Sequence, residues 1–283
     1  MKPLDIISNS MLSDENARRL LSDSQYKAFC AMSGNERVKN LRELLLAPIG
    51  HFTVINELYF RSKWSELFEK FYGNNPFVLL EVASGDADMI PQTMSRTNPT
   101  SDYLTANMNV KLNESLLKKT EGLDIKFRLI DDDAANIKQY VSEKSVDMIA
   151  FQHGANDVIQ AILCSQNGVD TTYSDWMKTL PKMIELLQDE IQNGTLEEHV
   201  KIPFLGLISN LLELLKSDGV IAIHHYMFKL DLDWGYPPEL FENIIPLIRK
   251  WCSELDSSVE IALDGFDSQW WLFLKKKTAK QLD

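Results

Sequence analysis

The sequence predicts an α/β protein: a seven-stranded, doubly wound, mostly parallel sheet with an antiparallel last strand, preceded by a helical N-terminal extension. Three observations predict it. Short, nearly continuous apolar runs recur at 77–82, 103–106, 125–130, 146–151, 219–224, 259–263 and 270–274, the pattern of strands buried on both faces. Helical stretches separate most of these runs, which makes right-handed strand–helix–strand units. The last two runs are joined only by Asp264, Gly265, Phe266, Asp267 and Ser268. That connection is too short for a crossover, so it should be a hairpin that reverses the final strand.

The first 75 residues read differently from the rest, as helices with short breaks. Ser13 and Asp14 supply oxygens that can cap a helix over 17–21. A second helix is expected over 37–46, with Val38, Leu41, Leu44 and Leu45 on one side and Pro48 and Gly50 as its stop. A third is expected over 54–71, where Ile55, Leu58, Tyr59, Leu67 and Phe68 follow helical spacing. Gly73 and Pro76 end it, so residues 1–75 form a helical cover and 76–283 the sheet domain. His51, Phe52, Tyr59, Phe60 and Trp64 give the cover an aromatic character suited either to a core or to a planar or amine ligand.

Within the sheet domain, helices are expected at 89–96, 110–121, 134–142, 158–164, 204–215 and 238–255. Residues 165–202 break the rhythm, with Tyr173, Trp176 and a helical stretch at 177–191. An insertion after a strand's C-terminal end is either a lid over a binding crevice or an enlarged crossover helix.

Composition excludes several classes. The chain has 283 residues, a formal charge of −12, and enough Phe (13), Tyr (8) and Trp (6) for a large core, so disorder is disfavoured. Basic residues are scattered; the one tight cluster, Lys275, Lys276 and Lys277, reads as a solvated strand end, which argues against nucleic acid. Cys30, Cys164 and Cys252 form no paired spacing, which fits a reducing, cytoplasmic setting. The start lacks a signal-peptide pattern, and no apolar run is long enough to span a bilayer. The His residues show no metal-binding spacing, so no metal is expected.

Four polar clusters fall at strand C-terminal ends, where doubly wound sheets bind ligands. The first strand runs into Glu81, Val82, Ala83, Ser84, Gly85, Asp86, Ala87 and Asp88, a small-residue turn that lets backbone approach a ligand and presents helix amides. The second ends at Asn107 and Asn109, about twenty residues on, where a hydrogen-bonding side chain can grip a ribose. The third ends at Asp131, Asp132, Asp133 and Ala134, an acidic run that either caps the next helix or accepts from an amino group. The fourth ends at Gln152, His153, Gly154, Asn156 and Asp157, the last two either substrate-orienting or helix-capping.

In this order, over about 200 residues from Pro76 to Lys277, the motifs resemble those of class I S-adenosylmethionine-dependent methyltransferases. The family's acid followed by three alternate glycines reads here as Glu81, Ala83, Gly85 and Ala87, with only the central glycine kept. The usual ribose-binding acid is replaced by Asn107, with Asn109 nearby, and the Asp-Ala pair is Asp133-Ala134, with Asp132 as the competing register. Leu214-Leu215-Lys216-Ser217-Asp218-Gly219 is similar to the family's turn into strand five, and the terminal hairpin to its reversed last strand.

The resemblance implies S-adenosylmethionine as cofactor, held by Glu81, Ala83, Ser84, Gly85, Asn107, Asn109, Asp132, Asp133, Ala134, Gln152 and His153. It implies in-line methyl transfer to a small-molecule acceptor, a natural product or peptide side chain among them; the charge pattern and the lack of a long apolar run argue against nucleic acid and membrane as partners, and a homodimer is compatible with the sequence. A general base is needed only if the acceptor must lose a proton. The candidates are His153, His225 and Tyr226, since imidazole titrates near neutrality; of His224 and His225 one must point away, because strand side chains alternate. A second wall could come from Asp231, Asp233, Trp234 and Tyr236. A nicotinamide-dependent oxidoreductase would want glycines where Ala83 and Asp88 stand. The degenerate first two motifs also admit a non-catalytic relic of the fold.

Overall fold

The computed structural model describes residues 11–46 and 53–277. His51, Phe52, Pro48 and Gly50 lie outside the described residues, as does the start of the chain.

The chain opens with α1 (Asp14–Leu20), α2 (Asp23–Ala31), α3 (Gly34–Arg42) and α4 (Val54–Tyr72). Ser13 caps α1 as expected, accepting from the Asn16 amide. The expectation omitted α2, although Ser22 and Gln25 form its capping box, a signal legible in the sequence. The expected helix 37–46 instead starts earlier, at a Ser33–Glu36 capping box, and its last residues form a separate 3₁₀ turn, Leu44–Leu46.

The sheet consists of β1 (Val78–Val82), β2 (Asp102–Ala106), β3 (Lys126–Ile130), β4 (Val146–Gln152), β5 (Leu215–His224), β6 (Ser258–Glu260) and β7 (Trp271–Lys276). Its order is β3-β2-β1-β4-β5-β7-β6. All pairs from β3 to β5 are parallel, and β7 is antiparallel to both neighbours, as the short last connection requires. Crossovers are made by α5 (Met89–Thr97), α6 (Val110–Thr120), a 3₁₀ segment (Ala134–Gln139), α7 (Ala155–Gln166), α8 (Trp176–Asn193) and α9 (Leu196–Leu214). After β5 come α10 (Lys229–Asp233), α11 (Pro238–Phe241) and α12 (Ile244–Cys252). Two expected helices are thus corrected. Residues 134–142 make only the 3₁₀ segment, and 238–255 divides where Asn243 starts α12.

The division of the chain near residue 75 does not mark a break in packing. One continuous apolar core takes in α1, α4 and the sheet alike. α4 lies flat on a sheet face rather than over its edge. Its Phe68 packs on Phe77, its Trp64 on Trp271 and its Phe60 on His224. Polar groups fix its register: Tyr72 donates to the Asp147 carbonyl at the start of β4, and Trp64 Nε1 donates to Gln152 at its end. Burying each such ring contributes about 1.5 to 3 kcal/mol, so α4 is a layer of the core and not a detachable cover.

The insertion resolves into two parts. α8 and the first turns of α9 pack with α7, an enlarged crossover. The stretch before α8 is strapped across the end of β2: Val110 donates its amide to the Thr172 carbonyl, and Asn109 donates to the carbonyls of Thr171 and Ser174.

Candidate functional site

The strand order reverses between β1 and β4, because β2 and β3 lie on one side of β1 and β5 on the far side of β4. Open α/β sheets bind ligands at such a switch point, outside the strand C-termini. Both strands end there in strained backbone. Ala83 follows β1 at φ 55°, and His153 follows β4 at φ 62°. Among the described residues only two other non-glycines, Thr100 and Lys144, have positive φ. The left-handed region costs a residue with a side chain about 1 to 2 kcal/mol, so the surrounding structure must hold both turns. Gly154 shows how: a Cβ there would sit 2.7 Å from the Val82 carbonyl oxygen and 2.9 Å from that of Ala83. The two loops touch backbone to backbone, and only glycine permits it.

The β1 turn is anchored to β2. Tyr103 donates to Glu81 at 2.6 Å, and the hydroxyls of Ser84 and Thr105 share a hydrogen bond of 2.8 Å. Glu81 is buried, and burial pushes its carboxyl up to about 8 against the opposing effect of the Tyr103 hydrogen bond. Gly85, at φ 58°, completes the turn, and its carbonyl accepts from Asn107 at 2.8 Å.

A carboxamide network then joins three strand ends. Asn107 Nδ2 also donates to Asn113 Oδ1, and Asn113 Nδ2 donates to the Asn107 carbonyl and to Asp131 Oδ1. Sequence reasoning missed Asn113 and Tyr103. Asn113 interrupts the apolar face of α6 six residues after Asn107, which is the signal that could have found it. Asn107 Oδ1 accepts no hydrogen bond among the described residues.

Several expected cofactor residues are placed differently. Asn109 caps α6 and holds the 171–174 strap, so its amide is engaged in scaffolding. Asp132 accepts from Tyr140, Asn136 and the Asp133 amide, and Asp133 accepts from the Ala135 amide, so capping is what these two carboxylates do. Of the acidic run, Asp131 is the member tied to the network. Gln152 faces α4 through its bond with Trp64, away from His153.

On the other side of the crevice, His153 Nε2 lies 2.7 Å from the Tyr226 carbonyl. A carbonyl only accepts, so Nε2 carries the proton of this bond, and Nδ1 is the ring nitrogen left for another partner. His224 and His225 point to opposite faces, as the pleat demands. His224 packs among Phe60, Tyr226 and Trp271, while His225 stacks 4.2 Å from His153. Burial holds both rings well below the ordinary imidazole range, so both are neutral. Tyr226 is buried with its hydroxyl against that of Tyr59, so towards His153 it presents its backbone carbonyl. Neither Asn156 nor Asp157 caps α7, whose N-cap is Gly154 without a side-chain bond. Burial pushes Asp157 up to about 7, with Asp231 nearby adding to the rise.

A cleft of about 520 Å³ lies elsewhere: Lys70, Tyr72, Asp147, Lys216 and Lys275 line it at the opposite, N-terminal edge of β4 and β5. Among the described residues no three His, Cys, Asp or Glu side chains come together as a metal site. No helix among them is long and apolar enough to cross a membrane.

No family model matches the chain, and no curated protein matches it in sequence. Solved structures do resemble it in fold. One, described as an S-adenosyl-L-methionine-dependent methyltransferase from Methanococcus maripaludis, is 12% identical with a TM-score of 0.47, over 96% of this chain and 97% of that one. A SAM-dependent methyltransferase from Aquifex aeolicus is 11% identical at TM-score 0.47, over 75% of this chain and 87% of its own. An rRNA methylase from Streptococcus thermophilus is 12% identical at TM-score 0.42, over 78% of this chain and 96% of its own.

Proposed function

We propose that the protein is an S-adenosylmethionine-dependent methyltransferase that acts on a small-molecule acceptor in a cytoplasmic setting. The observation that carries this reading is the pair of positive-φ residues, Ala83 and His153, held against each other across the β1–β4 crevice by Gly154. Strain of this kind persists where backbone must face a ligand.

The chain's own residues fit the cofactor. The turn at Ala83, Ser84 and Gly85 offers amides and no bulk. Asn107 Oδ1 is available to accept from a ribose hydroxyl, and Asp131, beside Asp133 and Ala134, borders the position an adenine would take. Glu81, mostly protonated at neutral pH, would face the amino-acid end and accept from its ammonium only on losing its proton. When bound, the sulfonium supplies an electrophilic methyl group. The protein's part is alignment and exclusion of water, with His153 Nδ1 as the base for an acceptor that must lose a proton.

Calorimetric titration with S-adenosylhomocysteine, with NAD as the control, tests the reading. Saturable binding of the first and none of the second is expected; the reverse would make the chain an oxidoreductase, and neither would make it a relic of the fold. Gly85→Val should abolish binding while costing about 1 to 2 kcal/mol of stability from its positive φ, as read by thermal melting. Unchanged affinity in this variant would mean the turn is not the site.

A further inference from the structure

Behind His153, on the side of the sheet away from α4, side chains from four segments close into a ring. The His153 and His225 rings are 4.2 Å apart, His225 and Phe241 5.1 Å, and Phe241 and Tyr236 4.1 Å. The Tyr236 hydroxyl is within electrostatic reach of Asp157 and Asp231 and faces Gln160 without a hydrogen bond of standard geometry. Asp231, whose Oδ2 accepts from the Phe228 amide, is in turn within reach of His153.

This ring is short of partners. Among the described residues, the two amide atoms of Gln160, which is 1% exposed, both ring nitrogens of the fully buried His225, and Asn156 Oδ1 make no hydrogen bond of standard geometry. Buried polar groups are normally satisfied, and each that is not costs about 1 to 3 kcal/mol. Among the described residues no Lys or Arg pairs with Asp157 or Asp231. The Asp157 carboxyl is within electrostatic reach of Asp231, and Asp231 within reach of His153, with aromatic rings of Phe228, Tyr236 and Phe241 as walls.

We propose that His153, Asp157, Gln160, His225, Asp231 and Tyr236 form the acceptor subsite and that it takes a small organic amine as its ammonium ion. The assignment of the ring as an acceptor subsite rests on the cofactor reading of the adjoining crevice; its preference for an ammonium ion does not. An ammonium brings the missing positive charge to two carboxyls, gives protons to Asp157 and the Gln160 carbonyl oxygen, and suits aromatic walls. A carboxylate ligand would meet like charge, and an alcohol would leave the acids uncompensated. Asp157, held near neutrality, can also take the proton that the ammonium must lose to become nucleophilic.

The test is a calorimetric titration of methylamine, benzylamine and phenethylamine into the full chain. Benzyl alcohol and benzoate are matched controls, each with and without S-adenosylhomocysteine. At least one amine should bind, the matched alcohol about tenfold or more weakly, and benzoate not at all. Asp157→Asn and Asp231→Asn should each weaken the amine by about tenfold or more, and Gln160→Leu less, with circular dichroism showing each variant folded. S-Adenosylhomocysteine affinity should stay unchanged in all three. If no amine binds to protein that binds S-adenosylhomocysteine, or if alcohol and amine bind alike, the amine subsite is overturned and the cofactor reading stands. If an amine binds selectively but S-adenosylhomocysteine does not, the ammonium preference stands and the cofactor reading falls.

Discussion

The two halves of the crevice are built in opposite ways. Around β1, β2 and β3, nearly every polar side chain is hydrogen-bonded: Tyr103 to Glu81, Ser84 to Thr105, Asn107 to Gly85 and Asn113, Asn113 to Asp131. Around β4 and β5, Asn156, Gln160 and His225 keep buried atoms without a hydrogen bond of standard geometry among the described residues, and no Lys or Arg there pairs with Asp157 or Asp231. A saturated network holds a shape in advance, as a site for a constant cofactor should. An unsaturated one is completed by what enters it, as a site that defines an acceptor should.

Breaking this comparison starts with the largest effect, at Glu81. Its folded carboxyl is raised from 4.5 to about 8, so between those values the native state keeps a proton that the unfolded chain has released. Stability should therefore fall as pH rises from 4.5 to 8 and level off above, by about 5 kcal/mol at most. Glu81→Gln keeps an acceptor for Tyr103 and removes the titration, so its advantage in denaturant midpoint should be absent at pH 4.5 and grow towards pH 8. A constant difference between the two proteins would mean that Glu81 is not held protonated.

Next is the contact between the halves. Gly154→Val forces a side chain into the carbonyls of Val82 and Ala83 and should cost about 1 to 3 kcal/mol or more in chemical denaturation. A variant as stable as the parent would mean the loops are not in contact.

The most direct contrast is a pair of substitutions of similar size. Asn113→Leu removes one of the two acceptors of Asn107 Nδ2 and the amide that donates to the Asn107 carbonyl and to Asp131, and should cost about 1 to 3 kcal/mol. Gln160→Leu removes two orphaned atoms and should be neutral or slightly stabilising in the ligand-free protein. Equal losses from both, measured by urea unfolding, would erase the distinction between the halves.

The strands, the reversed β7 and the β1 turn were legible because each is written in short-range pattern: an apolar run, a five-residue connection, small residues after an acid. What was not legible depends on where side chains meet across the fold. Asp132 and Asp133 could cap or bind, and the choice was made by Tyr140, Asn136 and the Ala135 amide. Asn109 stood beside the ribose position, yet its partners are the carbonyls of Thr171 and Ser174, some sixty residues on. The role of α4 as a layer rather than a cover follows from Trp64 and Tyr72 reaching β4, a contact no local spacing encodes.

The central claim, that the β1–β4 crevice holds the cofactor, is tested most directly by amide hydrogen exchange on the protein with and without S-adenosylhomocysteine. Added ligand should protect residues 81–88, Asn107, Asn113 and Gly154, and leave the opposite cleft at Lys70, Lys216 and Lys275 unchanged. Protection at that cleft, with none at the β1 turn, would contradict it.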